Sequence, residues 1–353
     1  MKVAVWPADE GGCGHYRLIW AARALQAQGA DIDLRLPREG SGIDGLFATQ
    51  NGVERLVALQ SRVDADVVVI QRPLTAWRAD IVPLLQAQGV RVVVEIDDDF
   101  TTIHPRNQSF TTCHPRRNPG TNWNHLTRAC RQADLVTCTT PALARRYGNH
   151  GRVTVIPNHV PAAYLTVTRD QHDGLWVGWT GGLNTHPTDL QVTRGAVART
   201  VEAHGAHMAV IGTGWGVQEA LGLTEPPLAS GWVDIRDYPE AMAQFDIGIV
   251  PLDDIEFNKA KSALKLCEFS ALGVPTIATP TPDNVRMFGE GIGVMAAKPK
   301  HWAAALRRLL TEPDHRAEVA ARGREVMARH TIEGNTDRWW DAWASCLEAR
   351  SAA

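Results

Sequence analysis

No stretch of this 353-residue chain approaches the roughly 20 consecutive apolar residues that a membrane-spanning helix needs. Nor does a leader-like segment open it: Lys2-Val3-Ala4-Val5-Trp6 reads directly as a strand, so the expected setting is soluble and cytoplasmic. Cysteine is sparse. The six residues Cys13, Cys113, Cys130, Cys138, Cys267 and Cys346 show no C-x-x-C spacing, which argues against a disulfide framework and for reduced, packed thiols. Cys113-His114 and the histidines near it fit no standard zinc spacing. There is no internal repeat of about 20–50 residues and no low-complexity tract. Lysine is absent from residues 101–152, and acid nearly so: eight arginines face the single Asp134, a net +7 in a chain whose total is −3, so the remainder carries −10. His104, His114, His125, Trp123 and Tyr147 are interleaved with those arginines. Such alternation suits phosphate contact and base stacking, and it equally suits a solvated helical surface.

What the chain does have is length and apolar content, 44% hydrophobic, enough for two domains each with its own core. The segment Phe245 to Thr279 reads as strand, loop, helix, strand. Ile247 to Val250 and Thr276 to Ala278 are short apolar runs bounded by Pro251 and by Gly273-Val274-Pro275, the pattern of buried parallel strands. Between them Ala260, Leu264, Cys267 and Ala271 recur at helical spacing, and Lys261, Lys265 and Glu268 form the strip alongside, within reach of one ligand. Two lysines near the positive end of a helix cost about 0.3–1 kcal/mol each, and no acid from Asn258 to Cys267 offsets them. A bound anion reverses that sign: free N–H groups, Lys261, Lys265 and Ser262 make a phosphate site, and Glu268 could accept from a sugar diol. A solvated lysine face is the bland alternative.

Residues 1–160 read as a first doubly wound α/β domain. Its opening strand runs into Gly11-Gly12-Cys13-Gly14-His15-Tyr16-Arg17 and a helix with Leu18, Ile19, Ala22 and Leu25 at helical spacing. Gly12 and Gly14 let backbone approach a phosphate or sugar, although such a loop alone often just turns the chain. Asp66 to Gln71, Arg91 to Ile96, Leu135 to Thr139 and Val153 to Ile156 follow as strands. Asp97, Asp98 and Asp99 stand at the carboxyl end of one of them, where open parallel sheets bind ligands. Three adjacent carboxylates repel; they either cap and pair locally, or one serves as base or sugar ligand, or they hold a metal ion as a D-x-D site. Residues 161–174 read as a linker and 175–330 as a second such domain, where Thr180, Gly181 and Gly182 end its first strand and Gly212 the next. Residues 331–353 bring Trp339, Trp340 and Trp343 at near-helical spacing, which is packing material.

The runs D-I-G-I-V-P-L (246–252), F-N-x-x-K-S-x-L-K-x-x-E (257–268) and A-L-G-V-P-T-I-A (271–278) resemble the donor-binding segment of GT-B glycosyltransferases close to glycosyltransferase family 4. The resemblance implies two Rossmann-like domains facing across a cleft, with the C-terminal helix crossing back to the first. It also implies a lysine, Lys265, on the donor diphosphate and a glutamate, Glu268, on the ribose hydroxyls. A glycine loop like that of Gly12 and Gly14 faces the donor in that family. A second glutamate often found eight residues earlier is Ala260 here. The turn T-G-x-x-x-x-H-x-x-D-L (180–190) resembles that of bacterial and bacteriophage transferases, and Gly231-Trp232-Val233 falls where the family's backbone holds the base.

The implied activity is sugar transfer from a UDP- or GDP-sugar, a hexose or pentose, without metal or other cofactor, since the D-x-D metal motif belongs to the GT-A fold. Asp98, then Asp97, Asp99 and His15, are the candidate catalytic groups. Arg106, Arg116, Arg117, Trp123 and Arg128 are the candidate acceptor contacts. Their charge and the phage-like turn point to 5-hydroxymethylcytosine in viral duplex DNA, and so to the host cytoplasm. A virion protein or cell-envelope glycan is the alternative acceptor. A sugar-nucleotide epimerase, or a binding protein of the same fold, is the alternative class.

Overall fold

The computed structural model describes residues 1–37, 43–148, 150–169 and 172–348. Residues 170–171 of the expected linker and 349–353 of the C-terminal segment lie outside them. The chain divides into two compact units: unit 1 is Met1–Pro105, Ser109–Asn158 and Ile332–Ala353, and unit 2 is Arg106–Gln108 and His159–Thr331. The described part of the expected linker thus belongs with unit 2, which also takes in a tripeptide from the first half of the chain.

Unit 1 holds a parallel sheet in the order β2 (Asp31–Leu34), β1 (Lys2–Trp6), β5 (Val67–Gln71), β6 (Arg91–Ile96), β7 (Leu135–Cys138), β8 (Val153–Val155). Val67 to Val69 and Val92 to Val94 are wholly buried, as β-branched runs covered on both faces should be. The sequence reading lacks β2 and also the hairpin β3 (Gly45–Gln50) and β4 (Val53–Leu59), whose turn residues Asn51 and Gly52 both take positive φ, 52° and 74°. Leu18, Ala21, Ala22 and Leu25 join Val3, Val5, Val69 and Val93 in one apolar cluster, and Ile332, Trp339 and Trp343 complete it from the C-terminal segment. Trp339 and Trp343 are fully buried. By area each contributes up to about 4–6 kcal/mol of apolar burial. Trp339 Nε1 donates to the Arg17 carbonyl at 2.9 Å, which pins the helix Asp337–Glu348 to the one that follows the glycine loop.

Unit 2 repeats the theme with β9 (Trp176–Gly181), β10 (His207–Gly212), β11 (Leu228–Ala229), β12 (Ile247–Val250), β13 (Thr276–Ala278) and β14 (Val294–Met295). Their order is β11-β10-β9-β12-β13-β14, all parallel. The chain moves outward from β9 through β11 and then returns to the other side of β9. That reversal creates a topological switch point at the carboxyl ends of β9 and β12. Trp302, Leu306 and Leu309 of the helix Pro299–Thr311 pack with Val177, Trp179, Val210 and Ile249 in the core.

One expected element is different. The stretch read as a single helix is two, Glu256–Lys259 and Leu264–Ala271, joined by non-helical residues 260–263. The second begins where the buried Asp283 carboxylate accepts the Ala263 N–H at 2.7 Å. Asp283 therefore supplies, from another helix, the acidic partner that the local sequence lacks, and the dipole conflict inferred from Asn258 to Cys267 is eased.

Candidate functional site

In unit 2 the carboxyl ends of β9 and β10 are shaped by glycine. Gly181 and Gly212 are paired across the strands with positive φ of 143° and 124°. A Cβ at Gly212 would stand 2.0 Å from the Gly181 carbonyl oxygen, and one at Gly182 2.3 Å from Thr213 Oγ1, so backbone alone can pass here. Gly212 N–H donates to the Gly231 carbonyl at 2.8 Å, which brings the loop carrying Trp232 and Val233 to the edge of the sheet. Trp232 is 67% exposed and Val233 half-buried.

Lys265 lies in the first turn of Leu264–Ala271, and Glu268 one turn on. Lys265 Nζ donates to the Tyr238 hydroxyl at 2.5 Å, lies 4.7 Å from the centre of that ring, and is 3.2 Å from Glu268 Oε2. Burial alone would lower the lysine, but the Glu268 charge and the Tyr238 hydroxyl outweigh it and hold the ammonium above its ordinary value. Glu268 is wholly buried, and neither of its oxygens accepts a hydrogen bond among the described residues; Lys265 stands off as an ion pair. A buried carboxylate with open acceptor positions is costly, about 1–3 kcal/mol or more per unmade bond, and hydroxyl donors from a ligand would relieve it. Thr180 is buried beside Tyr238.

Lys261 is not on the same helix as Lys265, contrary to the expected strip. It precedes that helix, half-buried, with Nζ 4.5 Å from the centre of the Phe257 ring. Ser262, also half-buried, is in the same non-helical connection. Asp189 ties that region to β9: its Oδ1 accepts from the Asn258 amide at 2.7 Å and from Asp253 N–H at 2.8 Å, and its Oδ2 is 2.7 Å from His186 Nδ1.

In unit 1 the hub is Arg72, which sequence reasoning missed. It follows β5 with a positive φ of 48°. Its guanidinium is bidentate to Asp97 and lies 3.5 Å from Asp98 Oδ2, 3.8 Å from Asp9 Oδ2 and 3.0 Å from Cys13 Sγ. Burial opposes its charge, but Asp97, Cys13 and Asp98 hold it well above the ordinary arginine value. Burial likewise pushes the Cys13 thiol up to about 12 against the pull of Arg72, so this thiol is not a nucleophile near neutrality.

The three aspartates are therefore not equivalent. Asp99 is the buried cap of the turn Phe100–Thr102: Oδ1 accepts from Thr101 N–H at 3.1 Å, Thr101 Oγ1 at 2.6 Å and the Tyr147 hydroxyl at 3.2 Å, while Arg146 lies 3.2 Å from Oδ2. Asp99 is thus corrected from a catalytic candidate to a structural one. Tyr147, 2% exposed, is corrected from a base-stacking candidate for the same reason. Asp97 is committed to Arg72. Asp98 has the most open side chain of the three, 26% exposed against 9% and 4%.

The glycine loop is closed on itself. Asp9 Oδ1 accepts from Gly11 N–H at 2.9 Å and Gly14 N–H at 3.0 Å, and a Cβ at Gly14 would meet the Asp9 carbonyl oxygen at 1.9 Å. Gly14 is thus needed for the turn, and its amide is already taken, a correction to its expected role toward an anion. Gly12 starts the helix. His15 Nδ1 donates to the Gly11 carbonyl at 2.9 Å and opens a π-turn, His15–Ile19. Below the loop Arg17 and Glu95 form a buried ion pair at 2.8 Å, with Arg17 also on Asn158 Oδ1 at 2.8 Å. Burial raises the Glu95 carboxyl, with Arg17 opposing.

Part of the arginine-rich stretch is paired within unit 1, although its arginines are half-buried or exposed. Arg128 pairs with the buried Asp80 at 2.7 Å beside Arg55 at 2.6 Å, Arg146 pairs with Asp99, and Arg152 Nη2 donates to the Ala133 carbonyl at 3.1 Å. Arg128, expected as an acceptor contact, is thus already ion-paired within unit 1. Arg116 and Arg117 are exposed, Arg106 is exposed in the tripeptide of unit 2, and Trp123 is half-buried against His114 and Phe110. Among the described residues no group of three His, Cys, Asp or Glu side chains is arranged to hold a metal ion, and no helix is long and apolar enough to cross a membrane.

A family described as "Glycosyl transferase-like" matches residues 194–341. Over 175 residues the chain is 25% identical to a Bacillus subtilis (strain 168) protein named as a teichuronic acid biosynthesis glycosyltransferase, a match covering 45% of this chain and 44% of that protein. The chain thus spans less than half the length of the curated relative it matches. Among solved structures it is similar to sucrose-phosphate synthase from Thermosynechococcus elongatus, with TM-score 0.66, 13% identity and 99% and 100% of the two chains covered. It is also similar to the Anabaena protein HepE in complex with UDP and glucose, with TM-score 0.61, 13% identity and 98% and 99% covered. AviGT4, a glycosyltransferase of avilamycin A biosynthesis, gives TM-score 0.62 at 15% identity over 99% and 98%. With two six-stranded parallel Rossmann-like sheets and these neighbours, the chain has the GT-B glycosyltransferase fold.

Proposed function

We propose that the chain is a nucleotide-sugar glycosyltransferase whose unit 2 binds the donor. The observation that carries this reading is Glu268: a carboxylate buried at the switch point, ion-paired to Lys265 and with no hydroxyl or amide satisfying its oxygens. A ribose diol supplies two O–H donors to such a group. Lys265 and Lys261 then neutralise the diphosphate, and the close-approach glycines at 181, 182 and 212 give it room beside backbone N–H groups. Stabilising the departing diphosphate is the larger part of what such a site contributes to transfer. Because lysines carry that charge here, transfer should persist in a metal chelator. The HepE structure, a complex with UDP and glucose, supports UDP-sugars as the first donors to try.

In unit 1 Asp98, the most exposed of the three aspartates, takes a proton from an acceptor hydroxyl in this reading, with Arg72 and Asp97 beside it. For the acceptor, a cell-envelope glycan is the reading we favour, supported by the name of the Bacillus relative and by the hydrogen bonds and ion pairs that Arg128, Arg146 and Arg152 already make within unit 1. 5-Hydroxymethylcytosine in duplex DNA is the second reading, resting on the exposed Arg106, Arg116 and Arg117. The test is to incubate the protein with UDP- and GDP-sugars alone, with polyanionic cell-wall glycan, and with hydroxymethylated DNA, following sugar release and product mass. Donor interconversion without acceptor would indicate an epimerase, and retention of the nucleotide sugar without turnover a binding protein.

A further inference from the structure

At the carboxyl edge of the unit 1 sheet, Trp6 ends β1, Arg35 follows β2 and Ile70 lies near the end of β5. With Trp77, Arg78 and Ile81 of the helix Ala76–Ala87 they line a cavity of about 20 Å³. Trp6, Ile70 and Ile81 are buried and form its floor, while Arg35, Trp77 and Arg78 are half-buried at its rim. Each guanidinium lies over an indole: Arg35 Cζ is 5.7 Å from the centre of the Trp6 ring, and Arg78 Cζ 5.4 Å from that of Trp77. Phe47 of β3 meets Trp77 edge-on, with centroids 6.0 Å apart, and holds that wall from the hairpin side.

Folding leaves two donors of this cavity unused. Trp6 is 8% exposed, and its Nε1 is a buried N–H with no acceptor among the described residues. Such a group costs stability until an acceptor reaches it. Arg78 faces no carboxylate among the described residues: its guanidinium is engaged by the Trp77 ring, and burial, the one influence on its proton, works against the charge. Arg35 differs, being paired with Asp33 at 2.7 Å. A cation without an anion thus stands beside an indole N–H without an acceptor.

The space selects the anion. About 20 Å³ admits roughly one or two water-sized groups, which suits the oxygens of a planar carboxylate and is too small for a tetrahedral phosphate or a nucleotide. A guanidinium fork matches a carboxylate, and an indole face packs against the apolar face of a ring. Resting on the reading of the chain as a glycosyltransferase, we propose that this cavity takes the carboxylate of a sugar acid in the acceptor glycan, with Arg78 and Trp6 Nε1 as its donors and Trp77 against the sugar ring. The cavity lies near the Arg72 hub: Pro7 and Ile70, both lining it, stand two residues before Asp9 and Arg72, at most about 7 Å of chain. A glycan anchored there extends along the sheet edge toward Asp98, which Arg72 meets at 3.5 Å. The acceptor class is therefore a carboxylated glycan and not a neutral one.

The experiment is calorimetry on the full chain with three ligands: an oligosaccharide containing hexuronic acid, the same oligosaccharide with its carboxyls reduced to alcohols, and a phosphorylated oligosaccharide of similar length. Wild type should bind the acid form about tenfold more tightly than the reduced form. Arg78→Gln should bind both forms as wild type binds the reduced one, and Arg78→Lys, which keeps the charge but not the fork, should regain part of the difference. UDP affinity, measured on each protein, reports the fold and the donor site separately. Equal affinity of wild type for the acid and reduced forms, or a difference that survives in Arg78→Gln, would overturn the site. Tighter binding of the phosphorylated form than of the acid would overturn the carboxylate assignment. A wild type that binds UDP but none of the glycans would overturn this inference and leave the donor site standing. Selective binding of the acid form by a protein that binds no UDP, GDP or ADP would instead overturn the transferase reading and leave the carboxylate site.

Discussion

Lys265 and Tyr238 are joined twice, by a 2.5 Å hydrogen bond from the ammonium to the phenol and by the ammonium lying 4.7 Å from the ring centre. The phenol orients a cation that burial would otherwise weaken. Lys265→Ala should cut nucleoside diphosphate affinity by about 1.5–3 kcal/mol, the range of a charge-assisted contact. Glu268→Gln should cost less, and Tyr238→Phe, which keeps the ring but not the hydroxyl, less again. Calorimetry with UDP checks the order; equal affinity in Lys265→Ala and wild type would remove this site.

Because Lys265 is held above lysine's ordinary value, the part of UDP affinity that depends on its charge should stay level from pH 8 to about pH 10 and fall only above the range in which an ordinary lysine loses its proton. In Tyr238→Phe the fall should begin at lower pH. The affinity profile of the two proteins measured over that range decides the matter.

The three aspartates should separate by what they support. Asp98→Asn is expected to lower turnover at least a hundredfold, the usual scale for a lost general base, with thermal stability near wild type. Asp99→Asn should instead destabilise unit 1 by about 1–3 kcal/mol, through its bonds to Thr101, Tyr147 and Arg146. Thermal unfolding run beside sugar-transfer assays distinguishes them, and a stable, fully active Asp98→Asn protein would show that no base is needed there.

Asp80 offers a test of the arginine assignment. Burial works against its charge, but Arg55 and Arg128 hold its carboxyl below the usual range. Its contribution is therefore present above the unfolded carboxylate value, near pH 4, and is lost as pH falls through the lower folded value. Wild type and Asp80→Asn should differ in denaturant midpoint at pH 7 and converge near pH 2. Arg128→Ala should share that loss of stability, whereas Arg116→Ala with Arg117→Ala should leave stability alone and weaken only binding to polyanionic glycan or DNA.

Much of this was legible in the sequence because it depends on neighbours in the chain. The valine runs of β5 and β6, the Thr180-Gly181-Gly182 turn and the tryptophans of the last helix each carry their signal locally. The break at residues 260–263 does not, since Ala260-Lys261-Ser262-Ala263 contains neither glycine nor proline and the group that starts the next helix, Asp283, is 20 residues away. Tyr238 reaches Lys265 across 27 positions, and Arg72 reaches Asp97 across 25. Only the folded chain makes those pairs adjacent. The Asn51-Gly52 hairpin is the opposite case: its turn signal is in the sequence, but it stands outside the alternation of strand and helix that organises the reading.

The completion of unit 1 by Ile332, Trp339 and Trp343 sets an order of events during synthesis. At about 5–20 residues per second, roughly 10 s or more separate the emergence of β8 from that of the last helix. Throughout that interval Leu18, Val69 and Val93 lack the tryptophans that cover them, while by its end the continuous segment His159–Thr331 can close its own core. The half of the chain made first is thus finished last, and ribosome-bound chains ending before residue 332 should present a protease-sensitive, chaperone-binding unit 1 alongside a protected unit 2.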